Sequence, residues 1–213
     1  MNKIKHFRNI QIFKYLYLNY FCKNIERNGA GKVIPYKNSV IDIGSNGKII
    51  LNDANLEIGV NKLKHSKAET YIRLRKNAIW IIENGASISY NSTIEVLENA
   101  KLDTISFSMN SSSVIICAKR IHIGKDVMIG RNVTIYDSNF HKINNGLKGM
   151  NQEVYIGNHV WLTSNVTVLK GVTILDGSVI GNNTLINKNI KSNQLVTSDS
   201  KAVVRREEID WSR

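Results

Sequence analysis

The chain has 213 residues, 42% hydrophobic and 22% charged, which is long enough for one or two domains with a real core. Its two cysteines, Cys22 and Cys117, cannot make a disulfide framework, so a reducing cytoplasm is the simplest setting. The net charge of +12 is uneven: residues 1–80 contain 15 Lys and Arg against 5 Asp and Glu, and residues 81–213 contain 14 against 12. Basic segments attract polyanions, but no recognised nucleic-acid-binding module is present, which argues against a nucleic-acid partner.

The first predicted element is an amphipathic helix over residues 3–25, inside an N-terminal segment, 1–30, that ends at a glycine-rich stop. Aromatic and aliphatic residues recur there at spacings of three and four, and basic residues lie between them. The apolar band consists of Phe7, Ile10, Phe13, Tyr17 and Phe21. Two interpretations stay open: the helix packs on its own domain or a neighbouring subunit, or it is a peripheral membrane anchor. No apolar run approaches the roughly 20 residues of a membrane span.

The central segment, 31–191, is organised by a repeat of six residues. Nine branched aliphatic residues mark the regular part of the repeat: Ile123, Ile129, Ile135, Ile156, Leu162, Val168, Ile174, Ile180 and Ile186. A period of six is typical of a parallel β-helix, in which each hexad is one short strand and one corner. We expect three hexads to form one triangular coil with the aliphatic residues stacked inside, and the first coils, from about Val40, to be irregular. Cys117 has the same spacing and is predicted to be buried.

One break interrupts the repeat. Ile135 and Ile156 are 21 residues apart where six are expected, so the chain between them must leave the coil as a loop, assigned to residues 136–155. This loop contains Asp137, Asn139 and His141, and it is the first functional signal in the chain. After Lys191 the hexads stop, and the C-terminal extension, 192–213, is predicted to run back along the coils before a charged tail.

Three segments carry a resemblance to a known family. Residues 135–141 read IYDSNFH, residues 156–161 read IGNHVW, and residues 168–174 read VLKGVTI. In these segments the chain resembles the hexapeptide-repeat acyltransferases, and most closely the bacterial O-acetyltransferases of surface polysaccharides and sugars. The resemblance covers roughly residues 115–205. It implies an all-β fold, a left-handed parallel β-helix, and a homotrimer that binds acetyl-CoA between adjacent prisms, with no metal.

The resemblance also implies roles for the loop residues. His141 would be the general base that removes the proton from a sugar hydroxyl, since a neutral imidazole suits this at pH 7. We expect Asp137 to accept a hydrogen bond from His141 and fix its tautomer, and Asn139 to orient the ring or the acceptor.

The family's acetyl-CoA contacts map to six further positions of this chain. Trp161 would line the groove near the pantetheine, and the backbone amide of Ser164 would serve the thioester region. The remaining contacts would be Asn182, Asn187, Lys188 and Arg205. A turn that normally contains proline precedes the basic residue in the family; here residues 198–201 read SDSK, so Arg205 departs from the pattern.

Other functions compete with a polysaccharide O-acetyltransferase. An N-acetyltransferase of an amino-sugar nucleotide would use the same base and the same groove. A metalloenzyme of the γ-carbonic-anhydrase type would draw on His122, His141 and His159, but the close histidine pair of such sites is absent. An inactive scaffold is the third alternative. The basic N-terminal third suggests an anionic or lipid-linked acceptor, with the protein in the cytoplasm at the inner face of the membrane.

Overall fold

The computed structural model describes residues 9–141 and 149–198. A short α-helix, α1, covers Ile12–Leu16 and continues into a π-helical turn at Tyr17–Phe21. Twenty strands follow in the described part: β1 Ile25–Asn28, β2 Val33–Pro35, β3 Ser39–Ile43, β4 Lys48–Asn52, β5 Leu56–Val60, β6 Thr70–Leu74, β7 Ile79–Ser89, β8 Thr93–Val96, β9 Lys101–Met109, β10 Val114–Cys117, β11 Arg120–Ile123, β12 Val127–Ile129, β13 Thr134–Tyr136, β14 Val154–Ile156, β15 Trp161–Leu162, β16 Thr167–Val168, β17 Thr173–Ile174, β18 Val179–Ile180, β19 Leu185–Ile186 and β20 Leu195–Val196.

The strands stack in parallel into three rows. Row A contains β1, β4, the first half of β7, the first half of β9, β11, β14 and β17. Row B contains β2, β5, the second halves of β7 and β9, β12, β15, β18 and β20. Row C contains β3, β6, β8, β10, β13, β16 and β19. The chain passes from row A to B to C in each coil, and this architecture confirms the predicted all-β parallel β-helix.

The nine hexad aliphatics are all buried, with at most 2% of each side chain exposed. The strand register stacks them in ladders inside the prism; in row A, Ile123 lies between Thr104 and Ile156, and Ile174 follows. Thr104 is the polar member of this stack of side chains. Its hydroxyl donates to the Ile81 carbonyl and accepts from the Trp80 indole, so its burial leaves no polar group unpaired. Cys117 is fully buried, as predicted.

Glycine follows several hexad aliphatics because successive coils touch through their backbones at these corners. A Cβ atom added to Gly124 would lie 2.6 Å from the Gly157 backbone, and one added to Gly130 would lie 2.4 Å from the Thr163 carbonyl. Neither neighbour can move without displacing a whole coil, so only glycine fits.

The ends of the β-helix differ from the prediction. The stack begins at β1, inside the segment assigned to the N-terminal helix, because Ile25 pairs with Ile49 in row A. The helix is correspondingly shorter than residues 3–25. At the other end β20 pairs in parallel with β18, so residues 195–196 extend row B and do not run back along the coils. No helix of the described residues is long and apolar enough to cross a membrane.

Candidate active site

The loop that interrupts the repeat leaves the corner between rows C and A, after β13, and returns at β14. Asp137, the first residue after β13, is fully buried. Its carboxylate accepts hydrogen bonds from the backbone N–H groups of Ala118 (2.6 Å), Lys119 (2.7 Å) and Arg120 (2.7 Å) at the corner below. Three such bonds to one carboxylate are strong, charge-assisted contacts. Asp137 therefore anchors the loop to the preceding coil.

The Cys117 thiol also points at this carboxylate, with Sγ 3.7 Å from Oδ2 of Asp137. Burial raises the pKa of the Cys117 thiol, and the negative charge of Asp137 raises it further. The thiol is therefore protonated at neutral pH and acts as a weak donor to the carboxylate, not as a nucleophile.

The rest of the loop root is held by side-chain contacts on both arms. Ser138 donates to the Asn151 side chain at 2.7 Å, and Lys170 donates to the Gly149 carbonyl at 2.6 Å. Phe140 has a φ of 59°, a conformation that is uncommon for an aromatic residue, and its ring meets Tyr136 edge to face at 5.5 Å. Strain of this kind persists where the surroundings impose it. The contacts at the base of the loop therefore set the backbone direction at His141.

His141 is exposed at the end of this root and makes no hydrogen bond or ion pair with the other described residues. The expected bond from His141 to Asp137 is therefore wrong in this chain: all the acceptor contacts of Asp137 belong to the corner at residues 117–120. The four-residue spacing suggested that Asp137 and His141 pair. The side chain of Asp137 instead turns inward, because three backbone N–H groups at the preceding corner would otherwise lack an acceptor. Asn139 is exposed; its backbone N–H donates to the Met150 carbonyl at 3.1 Å, and its side chain makes no hydrogen bond with the described residues.

A different histidine does have a carboxylate partner. Nδ1 of His159 lies 2.7 Å from Oδ2 of Asp126, and Nε2 has no partner among the described residues. If Nδ1 carries the proton in this pair, Nε2 is left as an acceptor, which is the form that a general base needs. Both residues occupy the corner between rows A and B, in successive coils. Asp126 and His159 are 33 residues apart in the sequence, because one coil of 18 residues and the fifteen inserted residues of the loop separate them. Their proximity is therefore not evident from the six-residue spacing.

The predicted acetyl-CoA contacts fall into two groups. Trp161, 45% exposed, faces outward from row B. Ser164 and Asn182 lie together at the next corner, where the Ser164 N–H donates to the Asn182 side chain at 3.1 Å, so this amide is already engaged. Asn187 and Lys188 are exposed between β19 and Ile190, at the corner between rows C and A. Arg205 lies outside the described residues.

Topology separates His141 from Trp161. The loop projects from the corner between rows C and A, and Trp161 lies on row B, the row opposite that corner. Asn187 and Lys188 share the corner of His141, whereas Ser164 and Asn182 are on the side of Trp161. One chain therefore presents the predicted site residues in two groups on opposite sides of the prism, which are called half-sites below.

The remaining histidine of the repeat, His122, is on row A, where its ring stacks on Tyr155 at 4.8 Å. Burial lowers the pKa of His122, partly offset by the negative charge of Asp103. In the described part of the chain, no three His, Cys, Asp or Glu side chains are grouped as metal ligands would be.

Comparison with known proteins gives one family match and several similar folds. Residues 153–188 match the family model described as bacterial transferase hexapeptide (six repeats). Among solved structures, the polySia-specific acetyltransferase NeuO is 20% identical, with 90% of each chain covered and a TM-score of 0.47. The polysialic acid O-acetyltransferase OatWY is 25% identical, covering 89% of this chain and 91% of its own, with a TM-score of 0.47.

A hexapeptide-repeat acetyltransferase from Vibrio cholerae O1 biovar eltor, solved with acetyl coenzyme A, is 23% identical over 59% of this chain and 66% of its own, with a TM-score of 0.39. No curated protein matches the chain. The six-residue period, the three rows of parallel strands and the match at residues 153–188 show that the chain contains bacterial transferase hexapeptide repeats in a parallel β-helix.

Proposed function

We propose that the protein is an acetyl-CoA-dependent O-acetyltransferase that modifies a sugar hydroxyl of a bacterial surface polysaccharide or its precursor. The observation that carries the proposal is an exposed histidine, His141, held on a rigidly anchored loop next to the matched repeat at 153–188. Acetyl-CoA would supply the activated acetyl group. His141 removes the proton of the acceptor hydroxyl as its oxygen attacks, and returns a proton to the departing thiolate.

The proposed assembly is a homotrimer in which the two half-sites meet between adjacent prisms. His141, Asn187 and Lys188 of one subunit would face Trp161 and Ser164 of the next. Supporting this, row B exposes Met128, Trp161 and Leu195 in one outward column, an apolar strip that invites a partner. A closed ring with threefold symmetry covers every such strip once.

His159 is the second candidate for the base, and its favouring observation is the bond to Asp126. The family resemblance supports His141, whereas the paired geometry supports His159. Both side chains are exposed, and both are near Trp161 in the proposed trimer, His141 from the neighbouring subunit and His159 from the same one.

A matched pair of variants, His141→Ala and His159→Ala, tests the assignment. We expect His141→Ala to lower kcat with a sugar acceptor by about 10²- to 10⁴-fold, the usual contribution of a general base, and His159→Ala to lower it less than tenfold. Acetyl transfer is followed by release of free CoA thiol at saturating acetyl-CoA, and circular dichroism shows whether each variant is folded. The reverse ranking would assign the base to His159, and full activity of both would contradict the mechanism.

A further inference from the structure

Row B carries a cleft of about 420 Å³ below Trp161, a volume in the range of small-molecule sites. It extends over four coils along the corner between rows A and B. Apart from Gly85, Ala86, Phe107 and Val127, its lining is polar and consists of three carboxylates, two carboxamides and three serine hydroxyls. The cleft is an open groove on the surface of the prism, outside the residues that the family resemblance assigns.

The register of row B connects this cleft to the proposed site of acetyl transfer. Glu57 pairs with Ser87, Ser87 with Ser108, Ser108 with Met128, and Met128 with Trp161, all in one outward column. At about 4.8 Å per strand, Ser108 is roughly 10 Å and Glu57 roughly 19 Å from Trp161 along the column. A molecule lying in the cleft would therefore have one end near Trp161.

The charge of the cleft is opposite to that of the chain. Three carboxylates line it, and no Lys, Arg or His side chain is among its lining residues, although the net charge of the protein is +12. Glu57 accepts a hydrogen bond from the Tyr36 hydroxyl at 3.1 Å. Burial and the charge of Glu57 raise the pKa of Tyr36 to about 12, so this hydroxyl stays a donor at neutral pH.

Several polar groups of the cleft are free to bind a ligand. The side chains of Asn84, Ser87 and Ser108 make no hydrogen bond with the described residues. Ser106, by contrast, already accepts the Asp126 N–H at 2.9 Å. Carboxylates accept hydrogen bonds, and hydroxyl and carboxamide groups both donate and accept them, which together suit a ligand rich in hydroxyl groups.

We infer that this cleft holds the carbohydrate acceptor and that it selects neutral or amino-bearing sugars over acidic ones. The inference rests on the proposed acetyl transfer and names its acceptor class. A sugar with hydroxyl or ammonium groups can donate to the carboxylates of Asp53 and Glu57, whereas a carboxylate on the sugar would be repelled by both. The carboxylate of Asp126 is already paired with His159. This disfavours the anionic acceptor that the basic N-terminal segment suggested, because the positive charge of that segment does not line the cleft.

The test compares three trisaccharides of equal length, made of glucosamine, N-acetylglucosamine and galacturonic acid. Binding to the intact protein is measured by saturation-transfer NMR, and acetyl transfer is measured separately by CoA release with product analysis. We expect affinity to fall in the order given. The double variant Asp53→Asn and Glu57→Gln, which keeps an acceptor oxygen at both positions, should weaken glucosamine binding roughly five- to tenfold and strengthen galacturonate binding.

The control is Asp42→Asn with Glu98→Gln, which removes the same two charges from exposed residues outside the cleft. Preferential binding of galacturonate, equal effects of the two double variants, or absence of binding by all three sugars would each overturn the inference. Binding in the expected order without any acetyl transfer would overturn the proposed function and leave the selectivity of the cleft standing. Acetylation on nitrogen rather than oxygen would support the cleft and change the reaction to N-acetyl transfer.

Discussion

Asparagine is the residue that closes the coils of this protein. Of the sixteen described non-glycine residues with positive φ, ten are Asn, and they lie at the corners between strands. Asn tolerates this left-handed conformation better than most residues. Its side chains also bond from coil to coil, as in Asn132 to Asn165 (2.8 Å) and Asn165 to Asn183 (2.9 Å). Asparagine at these positions thus serves both the left-handed backbone and the contacts between coils.

Asp137 is the residue whose role the structure changes most, from partner of the base to anchor of the loop. Replacing Asp137 with Asn removes the charge and one of the two oxygen atoms that accept from the backbone N–H groups of Ala118, Lys119 and Arg120. We expect a loss of about 3 kcal/mol in the free energy of unfolding, measured by urea denaturation at fixed protein concentration.

The same Asp→Asn change at exposed Asp42 is the control and should cost less than about 1 kcal/mol. If Asp137 instead served the chemistry, kcat of Asp137→Asn would fall by orders of magnitude while its urea midpoint stayed at the wild-type value. We expect the opposite, with kcat within about threefold of wild type at temperatures where the variant is folded.

The N-terminal helix contacts the first coil through residues outside its aromatic band. Its contact with the first coil is made by Leu18 and by Asn19, which bonds both the N–H and the carbonyl of Val33 at the open edge of β2. An uncapped strand edge needs such partners. The aromatic band therefore faces away: Phe13 is 90% exposed and Phe21 73% exposed, with Tyr17 and Tyr20 between them.

We propose that this outward face binds an acidic membrane surface, which would place the enzyme at the inner face of the bacterial membrane. Aromatic side chains enter the interface, and the surrounding basic residues meet the headgroups. Phe13→Ser combined with Phe21→Ser should reduce cosedimentation with vesicles of phosphatidylglycerol and phosphatidylcholine at least about tenfold, because two large apolar side chains no longer insert.

Leu63→Ser, at another exposed apolar residue, is the control and should bind like wild type. Vesicles of phosphatidylcholine alone, or high salt, should bind the wild-type protein weakly. If wild type ignores acidic vesicles and the double variant changes its molar mass in light scattering, the helix face is a contact between copies and the membrane proposal is wrong.

At the scale of the whole molecule, the two half-sites on opposite sides of the prism make a testable statement about assembly. In the proposed trimer, His141→Ala damages one half-site and Ser164→Trp blocks the other. Each variant alone should be inactive. Coexpressed in equal amounts, they should regain about a quarter of wild-type activity, since one interface in four combines two intact halves in a cyclic trimer.

Molar mass from light scattering establishes how many 24.1 kDa chains the particle contains. Mixing the two purified variants without subunit exchange is the control and should restore nothing. If the coexpressed pair also stays inactive while the particles contain both variants, the site is formed within one chain and the arrangement proposed between subunits is wrong.

The six-residue period predicts the β-helix, its buried ladders and the position of the loop, because it repeats the same local geometry in every coil. Ile135 and Ile156 could be placed inside the prism without any coordinates. The direction of single polar side chains was decided only by the tertiary structure: Asp137 turned inward, and Asp126 met His159 across 33 residues. The physical reason is that a repeat specifies which residues stack, whereas a polar side chain goes wherever the nearest unpaired donor or acceptor lies, and that neighbour comes from another coil.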